Sequence, residues 1–217
     1  MNDAPTLRFR GLLPYEPTWR EMQRFTDERS ADTGDEIWFL EHPPVFTLGM
    51  NAAPEHVLDA GEIPVVKIDR GGQVTYHGPG QLVVYPLIDV RRHPLGVREL
   101  VTALEGGVID YLGGIGVEAL ARRDAPGVYV QGRKLASVGL RIRRGASYHG
   151  LALNVSADLA PFQRINPCGF RGLEVTRLAD LGGPSDVTEV AHALAPHLLR
   201  RLRYSAISTA SQAVNSR

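Results

Sequence analysis

Only one cysteine, Cys168, occurs in the 217 residues, so no internal disulfide can form and a disulfide-stapled secreted scaffold is excluded. Net charge is also missing. Lys plus Arg equals Asp plus Glu at 24 each, which removes the electrostatic footprint expected of a chain whose main partner is nucleic acid or a membrane surface. Long apolar runs are absent too, the longest stretches, such as Leu82 to Ile88, being far short of the roughly 20 residues that cross a bilayer. The opening Met1-Asn2-Asp3-Ala4-Pro5 has neither a basic start nor an apolar signal segment, so the expectation is a cytoplasmic chain.

Several chemical signatures are lacking as well. Neither G-x-x-x-x-G-K-[ST] nor a G-x-G-x-x-G opening a helix is present, which weakens a nucleotide-binding reading. His42, His77 and His149 have no H-E-x-x-H or paired C-x-x-C spacing around them, so no metal is expected. Without G-x-S-x-G there is no serine nucleophile elbow, and the lone thiol is the better nucleophile.

What is present is an ordinary globular composition, 43% hydrophobic and 22% charged, enough for one sizeable core. Thr18 to Arg29, with Trp19, Met22 and Phe25 three apart, reads as an amphipathic helix. Glu36–Leu40, Val45–Gly49, Val65–Ile68 and Leu82–Leu87 read as extended, and Val97–Leu112 as a helix weakened by Gly106-Gly107. Gly127–Val130 and Lys134–Arg143 form a hairpin around Gly132, and Tyr148–Val155 is a further strand. Asp186 and Glu189 make a capping box before a helix over Val190–Leu202. Strands interleaved with two or three helices predict an α+β fold with a mixed, largely antiparallel sheet flanked by helices. One domain over residues 1–204 is expected, with 205–217 a disordered tail.

Cys168 stands between Pro167 and Gly169. A lone cysteine is commonly a small core hydrophobe, but these flanks suit a shaped turn that displays a thiol. Lys134 opens a strand in which strict alternation places it with Ala136, Val138, Leu140 and Ile142 on an apolar face. There it either snorkels to solvent or, desolvated, exchanges protons with a nucleophile and favours a thiolate nearby. Between the strand runs lies a loop, Arg70 to Gln81, holding four glycines. It reads either as a mobile surface loop or as backbone that approaches a ligand closely, with Arg70 and His77 as polar groups. His77 and His149 are expected to line a pocket or to satisfy loop carbonyls. Arg141, Arg143 and Arg144 make a basic strand end, either a solvated face or a contact for an acidic partner.

Five ordered blocks carry a resemblance. They are His42-Pro43-Pro44-Val45-Phe46-Thr47-Leu48-Gly49; Arg70-Gly71-Gly72-Gln73-Val74-Thr75-Tyr76-His77-Gly78-Pro79-Gly80-Gln81; Gly132 to Arg141; His149-Gly150-Leu151-Ala152-Leu153-Asn154; and Asn166-Pro167-Cys168-Gly169. Together, from about His42 to Leu173, the chain resembles the lipoyl(octanoyl) transferase family. That resemblance implies a biotin/lipoate protein ligase-like fold and an acyltransferase that uses no cofactor. It implies Cys168 as the residue that carries an acyl thioester and Lys134 as the group that tunes its ionisation. Acyl-binding segments are implied at Arg70, Gly71, Gly72, Gln73, Val74, Thr75, Tyr76 and His77, at Ser137, Val138 and Gly139, and at Gly150, Leu151 and Ala152, with His149 and Gly78 in support. It further implies octanoyl-acyl carrier protein as donor, and as acceptors the lipoyl domains of 2-oxoacid dehydrogenase E2 subunits and the glycine cleavage H protein, acted on by a monomer. An ATP-dependent lipoate ligase, or a noncatalytic acyl-binding or carrier-docking module, would share parts of this pattern.

Overall fold

The structure, a computed structural model, describes residues 4–166 and 172–204. Cys168 and the expected tail at 205–217 therefore lie outside the described residues. In chain order the described elements are β1 (Thr6–Leu12), α1 (Tyr15–Asp27), β2 (Glu36–Glu41), β3 (Val45–Leu48), β4 (Val65–Lys67), β5 (Val74–His77), β6 (Gln81–Leu87), α2 (Val97–Gly114), β7 (Leu120–Ala121), β8 (Gly127–Val130), β9 (Arg133–Arg143), β10 (Ala146–Asn154) and α3 (Val187–Arg201).

A seven-stranded sheet has the order β1-β2-β6-β10-β9-β8-β7, and a three-stranded sheet the order β4-β3-β5. Only β1–β2 and β3–β4 pair in parallel, so the architecture is the mixed, largely antiparallel α+β arrangement expected. Alternation gives the large sheet two different faces. Ile37, Phe39, Leu82, Val84, Leu151 and Leu153 point to one side and pack with Leu100, Leu104 and Val108 of α2 and Leu194 and Leu198 of α3. On the other side Trp38, Leu40, Val83, Tyr85 and Ala152 meet Met22 of α1.

Helix α1 begins three residues before the expected Thr18, because Pro17 falls in the first turn, where its missing N–H is not needed. Gly106-Gly107 does not break α2. A side chain at Gly107 would lie 2.6 Å from Leu198 Cδ2, so the glycine permits close packing of α2 on α3. Asp186 caps α3 by accepting from the Glu189 amide at 2.8 Å, as expected.

Two expectations change. The glycine-rich segment is not all loop, because Val74–His77 forms β5 and pairs with β3. The second concerns Lys134. β8 pairs Val128 with Ala136 but Tyr129 with Lys134, so Leu135 is an extra residue on β9 and the alternation slips there. Lys134 therefore shares a face with Tyr129 and Ser137, opposite to Ala136, whereas strict alternation had grouped it with Ala136. The turn before it follows expectation, with positive φ at Gln131 and Gly132 as a two-residue hairpin requires.

Candidate active site

The bulge at Leu135 turns Lys134 to the face of Tyr129 and Ser137, into a cavity that Val101 of α2 also lines. Lys134 is 2% exposed, and its Nζ lies 5.4 Å from the Tyr129 ring centroid. Its aliphatic stem crosses Gly127, where an added Cβ would sit 2.7 Å from Lys134 Cε and 2.2 Å from the Ala136 carbonyl. Gly127 pairs with Ser137, so the lysine side chain leans along the strands toward Ser137. The backbone of Lys134 is bound to the stretch that follows Cys168: its N–H donates to Glu174 O at 2.8 Å, and its carbonyl accepts from Thr176 N–H at 2.9 Å. From α2, the buried carboxylate of Glu105 accepts from the Gly127 amide at 2.7 Å, and burial pushes its pKa up.

Arg70 to Thr75 form the opposite wall. Gly71 N–H donates to Leu140 O at 3.1 Å, and a side chain at Gly139 would meet Gly71 O at 3.1 Å, so glycine at 139 lets the segment lie directly on β9. The Arg70 guanidinium is nearly buried, with Nη2 donating to Thr47 O and Oγ1 and Nη1 to Gly71 O. Between the walls is a cavity of about 320 Å³ lined by Arg70, Gly71, Gly72, Gln73, Val74, Thr75, Lys134, Ser137, Val138 and Gly139 among others. A smaller cavity of about 40 Å³ shares Arg70, Ser137 and Gly139 and adds His77, Gly150, Leu151, Ala152, Tyr15, Tyr85 and His149. The structure thus brings Lys134 and the three expected segments to one cleft. Tyr76 is apart from both cavities, buried against Phe46 and Phe162, and Gly78 packs under the Tyr76 ring.

Beneath the smaller cavity lies a polar layer that sequence reasoning only partly found. Asp69 accepts from Trp19 Nε1 at 2.9 Å, Gln23 Nε2 at 3.3 Å, His149 Nε2 at 3.0 Å and the Tyr148 hydroxyl. Burial alone would raise the Asp69 pKa, but the bonds from His149, Tyr148 and Trp19 hold it well below the usual carboxylate range. Burial keeps the histidines neutral, lowering His42 to about 4 and His77 to about 3 and depressing His149 despite Asp69. His77 Nδ1 meets Gln81 Oε1 at 2.7 Å, Gln81 Nε2 donates to Asn154 Oδ1 at 2.9 Å, and Asn154 Nδ2 donates to Thr176 O at 3.0 Å. Those bonds tie the cavity floor to the residue whose amide pairs with the Lys134 carbonyl. Asp69, Tyr15, Tyr85 and Asn154 had no spacing to mark them, although Asp69 adjoins the Arg70 block.

Among the described residues no group of His, Cys, Asp and Glu is arranged to hold a metal ion, and no helix is long and apolar enough to cross a membrane. The basic residues at the end of β9 are only partly charge-paired, sharing the one carboxylate of Asp27. Arg143 donates to both Asp27 carboxylate oxygens, Arg144 approaches Asp27 at 3.5 Å, and Arg141 reaches Met50 Sδ at 3.2 Å.

Comparison with known proteins agrees with this geometry. The chain is 63% identical over 195 residues to an octanoyltransferase of Stutzerimonas stutzeri, covering 90% of this chain and 89% of that one. Its fold is similar to that of a lipoate-protein ligase A bound with ATP, at a TM-score of 0.72 and 18% identity over 96% of this chain and 90% of that one. It is also similar to the biotin protein ligase of Aquifex aeolicus in complex with biotin and ATP, at 0.57 and 15% identity over 91% and 70%. Residues 14–199 match the lipoyl protein ligase A/B catalytic domain, and the chain belongs to that family.

Proposed function

We propose that the protein is a cytoplasmic octanoyltransferase of protein lipoylation that moves an octanoyl group from octanoyl-acyl carrier protein, through a thioester on Cys168, to a lysine on a lipoyl domain. The E2 subunits of 2-oxoacid dehydrogenases and the glycine cleavage H protein supply that lysine, and the protein acts as a monomer. One observation carries this reading beyond likeness to octanoyltransferases. A buried lysine, re-aimed by a β-bulge, stands at the mouth of a cleft made of the glycine-rich segments, and its own backbone is hydrogen-bonded to the stretch following Cys168.

In the first half-reaction the Cys168 thiolate attacks the octanoyl carbonyl. A carbon–sulfur bond forms to Cys168, the bond to the carrier's pantetheine sulfur breaks, and the Lys134 ammonium gives its proton to that leaving thiolate. Backbone amides of the glycine-rich segment stabilise the oxyanion. In the second half the acceptor lysine amine attacks the thioester, an amide forms, Cys168 leaves as thiolate, and the amine proton passes to Lys134, restoring its charge. Exchange of thioester for thioester is nearly even and amide formation runs downhill, so no ATP is consumed. Two bulky protein substrates then need not meet in one site, and the kinetics are ping-pong.

The test is intact-protein mass spectrometry after mixing with octanoyl-acyl carrier protein and no ATP. The expected result is a single octanoyl adduct, absent in Cys168→Ala and discharged by an apo lipoyl domain. Transfer without an adduct, or transfer only from free octanoate plus ATP, would overturn the covalent mechanism.

A further inference from the structure

The far end of the cleft has a chemical character that the transfer reaction does not use. β9 and β10 run antiparallel with Ser137 opposite Ala152, Gly139 opposite Gly150 and Leu140 opposite His149. The Lys134 side chain leans to the level of Ser137, three residues before Leu140, and at roughly 3.3 Å per residue His149 lies about 10 Å further along. That distance is the reach of an extended octanoyl chain. At His149 a φ of 57° interrupts the strand and brings the ring to the side of Tyr148, with the two rings stacked 4.8 Å apart.

The hydrogen bonds fix which atoms at this end can donate. Asp69 is ionised and accepts only, so His149 Nε2 carries the proton and, the ring being neutral, Nδ1 presents a lone pair. His149 Nδ1 is buried and has no hydrogen-bond partner among the described residues. His42 Nδ1 must donate to the Leu13 carbonyl, leaving Nε2 to accept the Tyr85 hydroxyl proton, and the Tyr85 hydroxyl is also hydrogen-bonded to that of Tyr15. Gln81 gives its amide protons to Tyr76 O and Asn154 Oδ1, so its oxygen accepts from His77 Nδ1–H and His77 Nε2 is a lone pair too. His77 and His149 line the same cavity of about 40 Å³, together with the guanidinium donor Arg70 and the paired hydroxyls of Tyr15 and Tyr85. A polar cavity holds a water once about 10–15 Å³ is available and two or more partners are present.

We infer that this polar end, where the buried His149 Nδ1 offers an unmet lone pair, holds a water and is the stop that sets acyl chain length. An octanoyl chain ends against it. A longer chain displaces the water and covers lone pairs with methylene groups that cannot donate to them, a loss typically worth about 5- to 150-fold per buried acceptor. The inference rests on the cleft being the acyl site, as proposed above.

The experiment measures transfer from hexanoyl, octanoyl, decanoyl and dodecanoyl carrier thioesters to a lipoyl domain. His149→Leu removes the lone pair at similar bulk, and His149→Phe removes it while keeping a ring. Each should raise the decanoyl-to-octanoyl ratio of kcat/KM about fivefold or more. Tyr148→Phe takes the same partner from Asp69 without touching the cavity and should leave the ratio unchanged. If His149→Phe folds poorly, His149→Leu and the wild-type water decide the matter, the expected result being an ordered water within hydrogen-bond distance of His149 Nδ1 in a crystal structure. An unchanged ratio in the His149 variants, a ratio that moves equally in Tyr148→Phe, or a dry pole where other buried waters are seen would overturn the inference. A wild-type protein that transfers no acyl group at all would instead overturn the function proposed above.

Discussion

The two faces of the seven-stranded sheet are built to different rules. Under α2 and α3 the contacts are almost wholly aliphatic, with Leu100, Leu104, Val108, Leu194 and Leu198 fully buried. Over the other face lie Lys134, Arg70, His42, His77, His149 and Asn154, all buried and polar, and the only bulge in the β8–β9 pairing turns Lys134 toward them. One face is packed mainly by aliphatic side chains, with the Tyr111 hydroxyl buried among them. The other holds most of its buried polar groups in a hydrogen-bonded network, with His149 Nδ1 unpartnered among the described residues. Stability and chemistry thus draw mainly on different faces, meeting where Val101 and Glu105 of α2 approach Lys134, and substitutions on each side should have different readouts.

The largest effect is expected at Lys134. Lys134→Ala removes the proposed proton carrier and should lower kcat/KM by about 10² to 10⁴-fold, while thiol alkylation rates against pH show the Cys168 titration moving upward. Unchanged transfer and an unchanged alkylation profile would show that the bulge serves packing alone. On the opposite face, Leu104→Ala should cost about 2–5 kcal/mol in denaturant unfolding, since Leu104 is fully buried. Its transfer rate per folded molecule and its chain-length preference should stay at the wild-type level. A changed preference would mean that the aliphatic face reaches through the sheet to shape the cleft.

Much of the helix-covered face was legible in the sequence, because its signals are local and periodic. Apolar residues three and four apart marked α2, alternation marked β2, β6 and β10, and Asp186 with Glu189 marked the start of α3, while the same helical spacing marked α1 on the opposite face. The site face was legible as segments but not as an arrangement. Alternation counted from Lys134 fails because Leu135 is inserted, and no residue type announces a bulge. Val74–His77 was hidden among glycines because its β-pairing partner, β3, is far away in sequence. Asp69 looked like any surface aspartate before Arg70, and only the folded chain brings Trp19, Gln23, Tyr148 and His149 to it. Residues that act through partners distant in the chain leave no spacing to read.

The smallest of these effects distinguishes the faces by pH. His42 and His77 are neutral in the folded protein, with pKa values lowered by burial to about 4 and about 3, whereas in the unfolded chain they titrate near the ordinary value of 6.5. The unfolded state therefore binds more protons below about pH 6.5, and linkage requires stability to fall as the pH is lowered from there toward the folded values. Their contribution is fully present above pH 6.5. On the helix side Asp110, held low by Arg201, and His93, lowered by burial, add their own acid dependence, so the comparison isolates the share that belongs to the site histidines. His77→Gln keeps a polar side chain beside Gln81 and removes one titrating group, and it should flatten the decline in unfolding free energy between about pH 6 and pH 4 relative to the wild type. Leu104→Ala should shift the whole curve down without changing its shape. If the two variants gave parallel curves, the buried histidines would not be the source of the acid sensitivity, and the contrast between the faces would rest on packing and chemistry without a difference in protonation.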